Sequence, residues 1–516
     1  MTASLPSVIE QMLNPSFFPH PVIEPIRLIQ THISYILLTG EYAYKLKKPV
    51  NFGFLDFTTL EQRQHFCREE LRLNQRGAPE LYLEVLPICQ QADGFQLAGD
   101  GIAVEYTIKM RQFPDDALLS NIFGQGELTP ELVQTLAGVV AQYHAGAETS
   151  DYIRSFGEVA QIRRAFDENH AQTEQYIGGP QTQAQFDQTR AYSDRFFSQN
   201  QALFASRIQN NCIRACHGDL HLGNICYWQN QLMLFDCIEF NEPFRFVDVM
   251  YDVAFMVMDL QAKQRPDLAN IFLNTYIEQT GDWEGLQVLP LYISRQAYVR
   301  AKVTSFLLND PAVSEAAKQT ASQTAAMYYR LAWQSTQTQA GKIFLMSGLS
   351  GAGKTTVARQ LAQQTGAIHI RSDAVRKHLA GIRLDQRGDQ GGQFGSGIYT
   401  PEMTQKTYDR LQELALLLVK QGWSVILDAK YDRQALRQPV MTQAETHHWA
   451  VKILHCTAPL EVLRDRLNAR QGDIADATAD LLTDQVKTAE PFSAAEQARA
   501  IEINTAQDIP SQLVSL

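Results

Sequence analysis

Long apolar runs are missing from this 516-residue chain. None reaches the roughly 20 residues a membrane-spanning helix needs. The first residues, MTASLPSVIEQML, lack the basic stretch and apolar core of a secretory leader. Cysteine is sparse: seven residues, scattered at positions 67, 89, 212, 216, 226, 237 and 456. Cys212 and Cys216 lie close, but no second close pair completes a zinc site, and the odd number argues against a disulfide framework. Positive charge is in deficit, with 45 Lys and Arg against 56 Asp and Glu and a net charge of −11. A generally basic surface for nucleic acid or anionic membrane is thereby excluded, while a local basic site stays compatible. The expectation is a reduced cytoplasmic protein without a membrane or nucleic-acid partner. The length asks for two or three domains. Apolar and charged fractions of 45% and 20% are those of an ordinary globular chain. Oligomeric state leaves no mark in the sequence.

What is present concentrates in two stretches. The first, HGDLHLGNICYWQNQLMLFDCIEF (residues 217–240), has the form H-x-D-x-x-x-x-N followed by a further Asp. Two apolar runs, 225–228 and 232–235, flank a polar turn at 229–231. They read as a hairpin that returns Asp236 to the neighbourhood of Asp219 and Asn224. Phosphoryl transfer uses such a set: an Asp to accept or orient the attacking hydroxyl, and an Asn–Asp pair to hold Mg²⁺ on the phosphates. The spacing is that of the catalytic loop and metal-binding Asp of the protein-kinase-like fold. The competing reading is a polar turn between buried strands.

Upstream, HISYILL, a turn at Thr39-Gly40-Glu41 and YAYKLKKPV read as strand, turn, strand. Lys45 has the Ala-x-Lys spacing of the kinase strand whose Lys contacts the ATP phosphates. Lys47 shares its strand face, so the sequence does not fully separate the two; the Ala-x-Lys spacing selects Lys45, and a basic edge strand is the rival reading. Residues 59–76 read as a charged helix, on which Glu70, or second Glu69, would pair that lysine. No G-x-G-x-x-G precedes Lys45, only Gly40, so any phosphate-covering loop is short or differently built. The strand at 102–113 occupies the position of the hinge between lobes. On the helix that follows, His144 reads as structural. Residues 150–210 read as helical and polar.

Gly40 to Asp56, ELRLNQRGAPELY, HGDLHLGN, FDCIEF and FRFVDVMYDVAFMVMDL together resemble the aminoglycoside-phosphotransferase-like kinases. More narrowly, they resemble the branch that carries a C-terminal P-loop domain. The resemblance implies a bilobal kinase fold with Asp219 as catalytic base, Asn224 and Asp236 as Mg²⁺ ligands, and Lys45 on the phosphates. It does not imply an aminoglycoside acceptor. Asp-Cys-Ile in place of Asp-Phe-Gly, and the lack of a following Ala-Pro-Glu, speak against a protein substrate. Further on, Asp248 and Asp252 lie four apart on an apparent helix and read as capping or ion-pairing residues, while Arg295 and Arg300 sit on a later helix.

The second stretch follows a polar linker at 333–340. KIFLMSGLSGAGKTTVARQ is a strand, a complete G-x-x-x-x-G-K-T loop and a helix. Backbone amides across Gly348, Ser350, Gly351, Ala352, Gly353, Lys354, Thr355 and Thr356 would cradle phosphates at a helix N-terminus. Lys354 would neutralise developing charge and the Thr355 hydroxyl would bind Mg²⁺. No N-K-x-D motif marks a GTPase. SVIL ends in Asp428, a Walker-B-like metal ligand without a following Glu. AIHIRSD supplies Asp373 at the end of the second strand, where its resemblance to small kinases implies an acidic residue facing the acceptor hydroxyl, with helix N-capping as the rival reading; Arg371 and Arg376 are near it in sequence. The Gly-rich stretch 386–397 reads as a substrate loop or as disorder. Arg466 and Arg470, four apart, would clamp the transferring phosphate from a lid; a solvated basic face is the rival. These features resemble the small P-loop kinases: gluconate kinase, chloramphenicol phosphotransferase, zeta toxins and polynucleotide kinases.

The expected architecture is an α+β bilobal protein-kinase-like domain at 25–332, with an N-lobe at about 25–108 and a C-lobe at about 114–332, then an α/β P-loop domain with a parallel sheet at 341–516. The expected function is a bifunctional phosphotransferase acting on small-molecule hydroxyls, with ATP, or alternatively GTP, and Mg²⁺ as cofactors. The alternatives are a polynucleotide-end kinase in the P-loop domain, or a nucleotide-binding regulatory protein whose kinase-like half is not catalytic.

Overall fold

The computed structural model describes residues 5–386, 397–469, 474 and 482–514. They fall into two compact units. One holds residues 1–129, 142–168 and 195–259; the other holds 130–141, 169–194 and 260–516. Helices that precede the P-loop strand in sequence thus group with it in space. No helix among the described residues is long and apolar enough to cross a membrane. All seven cysteines are free thiols.

The first unit begins with a six-stranded antiparallel sheet in the order β1-β2-β3-β6-β4-β5. Its strands are β1 Arg27–Gln30, β2 Ser34–Leu38, β3 Tyr42–Lys47, β4 Tyr82–Gln91, β5 Gly94–Leu97 and β6 Ala103–Arg111. β1 has no apolar alternation and lies largely exposed, which is why the sequence pattern does not betray it. The β1–β2 turn at 31–33 contains no glycine, and the Thr31 hydroxyl holds it by accepting from the Ile33 and Ser34 amides. Helix Leu60–Asn74 packs on this sheet and starts in a capping box between Thr59 and Gln62. The first residues belong to the same core. Ile9, Met12 and Phe18 are buried against Leu37, Tyr44 and Leu46.

The remainder of the unit carries the catalytic-loop stretch. β7 Ile213–Ala215 pairs with β10 Phe246–Asp248, and β8 Ile225–Trp228 forms a hairpin with β9 Gln231–Leu234. Gln229 and Asn230 turn that hairpin at φ 51° and 61°, the left-handed pair that a two-residue turn of this hand requires. Asp248 ends β10 rather than lying on a helix. Arg207 bonds both its oxygens, at 2.8 and 2.6 Å, and Asp248 accepts from the Met250 amide at the start of helix Val249–Ala262. Capping and ion pairing account for it.

The second unit is built on a five-stranded, all-parallel sheet in the order β12-β13-β11-β14-β15. The strands are β11 Lys342–Ser347, β12 Ile368–Arg371, β13 Val425–Asp428, β14 Ala450–Thr457 and β15 Ala500–Asn504. β12 and β13 are buried at every position, as strands covered on both faces must be. β11 lies in the middle, where the chain order reverses, and a crevice forms beyond the carboxyl end of such a strand. Helices Pro266–Thr280, Leu289–Phe306 and Glu315–Gln334 belong to this unit. The last of them runs two residues into the segment expected to be linker.

Candidate active sites

In the first unit, β3 projects Lys45 and Lys47 from alternate positions against Glu70 on helix Leu60–Asn74. Lys45 Nζ lies 2.6 Å from Glu70 Oε1 and 2.6 Å from Asp236 Oδ1. Lys47 Nζ lies 2.7 Å from Glu70 Oε2 and also bonds Glu239. The two lysines that the sequence does not fully separate are therefore distinguished by partner. Lys45 reaches Asp236, while Lys47 is locked into a buried pair with Glu70 and Glu239. Glu69 instead pairs with Arg72 at 2.9 Å near the surface. Burial works against the Lys45 ammonium, but Asp236 and Glu70 outweigh it and hold its pKa well above the usual value. Burial likewise opposes charge on Glu70, yet Lys45 and Lys47 hold that carboxyl at about 2.

A pH prediction follows from Glu70. Its folded pKa lies below the roughly 4.3 of an unfolded Glu, so its contribution is complete above that value and is lost as pH falls toward about 2. The urea midpoint of the wild type should drop between about pH 4.5 and about pH 3. Glu70→Gln should be weaker at neutral pH and less sensitive across that interval. Equal slopes would rule the contribution out.

The catalytic-loop residues converge from the same stretch. Asn224 Nδ2 donates to the Asp219 carbonyl and to Asp219 Oδ2, both at 3.0 Å. Those bonds leave its amide oxygen for another partner. His221 Nε2 lies 3.5 Å from Asp219 Oδ2. Asp236 sits at φ 63° just after the hairpin, and its amide donates to the Tyr82 hydroxyl at 3.3 Å. This positive φ turns the chain where the hairpin ends. The Asn224 amide oxygen and the Asp236 carboxylate are hard oxygen donors of the kind Mg²⁺ takes.

Asp252 supports this loop from below. Its buried carboxylate accepts from the His217 amide at 2.7 Å and the Gly218 amide at 2.9 Å, and it lies 3.2 Å from His144 Nε2. His217 Nε2 donates to the Phe235 carbonyl at 2.9 Å, tying the loop to the hairpin that delivers Asp236. His144 is thus structural. His144, Cys216 and Asp252 bring potential ligand atoms within 4.8 Å of one another. The Asp252 oxygens are already spent on backbone amides, however, so the cluster is a hydrogen-bonded scaffold. The sequence gives no sign of Lys47 and Glu239 as a buried pair; the signal was only that Glu239 lies three residues after Asp236.

In the second unit, the loop after β11 turns through Gly348 at φ 136° and Gly351 and Gly353 at φ 78°. A side chain at Gly348 would meet the Cys456 carbonyl at 2.4 Å, so close packing as well as φ demands glycine there. Gly353 caps helix Lys354–Thr365, whose first residues include Thr355 and Thr356. Lys354 Nζ donates to the Gly348 and Leu349 carbonyls, both at 2.9 Å. Burial lowers its pKa, with Asp428 and Asp373 acting in the opposite sense. Asp428 ends β13 beside His369, whose Nε2 lies 3.0 Å from Asp428 Oδ2. Burial raises its pKa, but the His369 bond and the neighbouring cations prevail and hold it at about 2.

Asp373 lies in the first turn of helix Ser372–Leu379. The helix N-cap is Arg371, so the capping reading of Asp373 does not hold. On the same helix Arg376 is buried, with Nη1 on the Ile398 carbonyl and the Thr404 hydroxyl and Nε without a hydrogen-bond partner among the described residues. Past β13, Lys430 Nζ lies 2.8 Å from Asp432 Oδ2, and Asp432 Oδ1 is buried without a hydrogen-bond partner among the described residues. Arg466 is no solvated face. It donates to the Gly351 carbonyl at 3.3 Å and to the Thr505 hydroxyl and carbonyl at 2.8 Å each. Arg470 and the Gly-rich stretch at 387–396 lie outside the described residues. Gln485, which sequence reading passed over, accepts from the Ser350 amide and donates to its hydroxyl, both at 3.0 Å.

Residues 120–289 match the profile of the Phosphotransferase enzyme family, and residues 343–492 match that of an AAA domain. β3 with Lys45 and the helix with Glu70 precede the first match. An uncharacterized protein of Mycobacterium tuberculosis is 32% identical over 464 residues, covering 90% of this chain and 90% of its own. A protein named "Probable gluconokinase" from Xenopus tropicalis is 28% identical over 177 residues, covering 31% of this chain and 85% of its own. Among solved structures, a sugar kinase from Janibacter sp. HTCC2649 shares 23% identity over 34% of this chain and 90% of its own, with a TM-score of 0.26.

Proposed function

Because the chain belongs to the same family as the mycobacterial protein, with a phosphotransferase-family domain followed by an AAA domain, we propose a bifunctional phosphotransferase with one centre in each domain. Each centre would transfer the γ-phosphoryl group of ATP to the hydroxyl of a small molecule, with Mg²⁺. The functional modules would span 25–332 and 341–516.

One observation carries the reading for the first module. Lys45 joins Glu70 to Asp236, Asn224 holds Asp219, and the Phe235 amide beside Asp236 donates to the Asn224 carbonyl at 3.0 Å, so two hydrogen-bonded groups that would supply the phosphate-binding cation, the metal ligands and the base meet along one stretch of backbone. Asp219 would accept the proton of the attacking hydroxyl, and Asn224 would keep its carboxylate turned toward that proton. Lys45 would bind phosphate oxygens, with Glu70 fixing its reach. Asn224 and Asp236 would hold Mg²⁺, which supplies charge neutralisation at the phosphates.

In the P-loop module, the amides from Gly348 to Thr356 would cradle phosphate, and Lys354 would leave the loop carbonyls to bind it. Thr355 and Asp428 would hold Mg²⁺, Asp373 would serve as base, and Arg466 would approach the phosphates from the lid side.

The test is a metabolite extract of the source cell incubated with ATP and Mg²⁺, read by mass spectrometry for compounds that gain a phosphoryl group. Wild type, Asp219→Asn and Lys354→Ala run side by side. The expected result is one product lost with Asp219→Asn and another with Lys354→Ala, or one product lost with both if the steps are sequential. Wild type giving no product while it still binds nucleotide would overturn the reading.

A further inference from the structure

Among the described residues β12 is an edge strand, paired only with β13, and its outer backbone groups need partners from elsewhere. Helix Pro266–Thr280, in the same compact unit, supplies them. Asn270 and Asn274 donate to the Ala367 carbonyl at 3.0 and 3.1 Å, and Asn274 Oδ1 accepts from the His369 amide at 2.8 Å. Glu278 Oε1 lies 3.5 Å from Arg371 Nη1. The spacings agree: four helical residues rise about 6 Å and two strand residues about 6.6 Å. Residues 270, 274 and 278 therefore run in step with 367, 369 and 371. Asn274 Nδ2 also donates to Asn270 Oδ1 at 3.0 Å, which fixes the orientation of the Asn274 amide.

The middle contact leads to the P-loop centre. The residue whose amide Asn274 holds is His369, and the imidazole of His369 is the partner of Asp428, with both side chains nearly buried. We propose that Asn274 is a positioning residue of the P-loop site: by fixing the His369 backbone it sets the orientation of the Asp428 carboxylate toward Mg²⁺. The inference rests on the reading of Asp428 as a metal ligand. It means that a helix preceding the linker in sequence forms part of the scaffold of the P-loop centre. Glu278, whose partner Arg371 is in register with Asp428, fastens the same strand one step on.

The test uses the full chain and reads Mn²⁺ binding in the presence of ADP by electron paramagnetic resonance, taking as the P-loop signal the component lost in Lys354→Ala. Asn274→Leu removes the acceptor for the His369 amide; Asn274→Asp keeps it. Support of a metal ligand's partner is worth about 10–100-fold in metal affinity. Asn274→Leu should therefore weaken Mn²⁺ about tenfold, and Asn274→Asp, which keeps the acceptor for the His369 amide but loses the donor to Ala367 and Asn270, should restore part of that affinity. Asn274→Ala carries the same expectation as the leucine should that variant not fold. Arg410→Ala, which breaks a contact to Glu284 elsewhere in this unit, should leave Mn²⁺ affinity unchanged. A lower melting temperature for Asn274→Leu with unchanged Mn²⁺ affinity, or no restoration by Asn274→Asp, would overturn the proposal. Absence of any Lys354-dependent Mn²⁺–ADP signal in wild type would instead overturn the nucleotide reading beneath it.

Discussion

Asp219→Asn is expected to slow phosphorylation by the kinase-like centre by about 10²–10⁴-fold, the contribution of a positioned general base. The amide that replaces the carboxylate takes no proton from a hydroxyl. It also changes the pairing with Asn224, whose Nδ2 donates to Asp219 Oδ2 at 3.0 Å. Either an amide NH₂ faces another NH₂, or the new side chain turns and presents its donor to the substrate. Nucleotide affinity should change little, because Lys45, Glu70 and Asp236 form their contacts without Asp219. The loss should therefore fall on kcat, with KM for ATP preserved. Steady-state kinetics on the acceptor assigned to this domain provide the check. A variant retaining most of its kcat would remove Asp219 from the role of base.

The second large effect concerns stability. Arg437 has no exposed side-chain surface, and its partner Glu496 has 3%. Arg437 Nε donates to Glu496 Oε1 at 2.6 Å, Nη1 to the Tyr431 carbonyl at 3.1 Å and Nη2 to the Pro491 carbonyl at 3.3 Å. One guanidinium thus ties the exit of β13 to the segment after helix Leu482–Thr488. Arg437→Ala would strand a buried carboxylate and two carbonyls and would leave a cavity as well. Breaking a buried pair from one side costs about 3–5 kcal/mol. The urea transition of the second unit should move to correspondingly lower concentration, with the first unit's transition unchanged. Arg437→Lys should recover little, because an ammonium does not reproduce the guanidinium fork. A shift no larger than that of a surface substitution would contradict the burial of this pair.

The two domain types were legible in the sequence for a physical reason: both centres are built on short continuous segments. Residues 217–240 hold Asp219, Asn224, the hairpin and Asp236 in one run, and residues 342–356 hold strand, glycines, Lys354 and Thr355 in another. Local spacing is sufficient there. The parallel sheet was legible from its uninterrupted apolar strands, and helix Leu60–Asn74 from the charged run at 59–76. Contacts between distant segments left no such trace. β1 is an exposed edge of ordinary residues. Asp252 supports the catalytic loop through amides 35 and 34 residues away, and no spacing rule predicts that. The choice between Lys45 and Lys47 depends on where Asp236 and Glu239 return in space. No reading of the sequence singled out Asn270, Asn274 and Glu278, whose partner, the edge of β12, lies about 95 residues further along the chain.

The number of nucleotides bound per chain tests the central claim most directly. Equilibrium dialysis of the full chain with a non-hydrolysable ATP analogue and Mg²⁺ should give two. Lys354→Ala should remove one of them, and Lys45→Met should weaken the other. A single nucleotide in wild type, lost with one variant and untouched by the other, would contradict two independent centres.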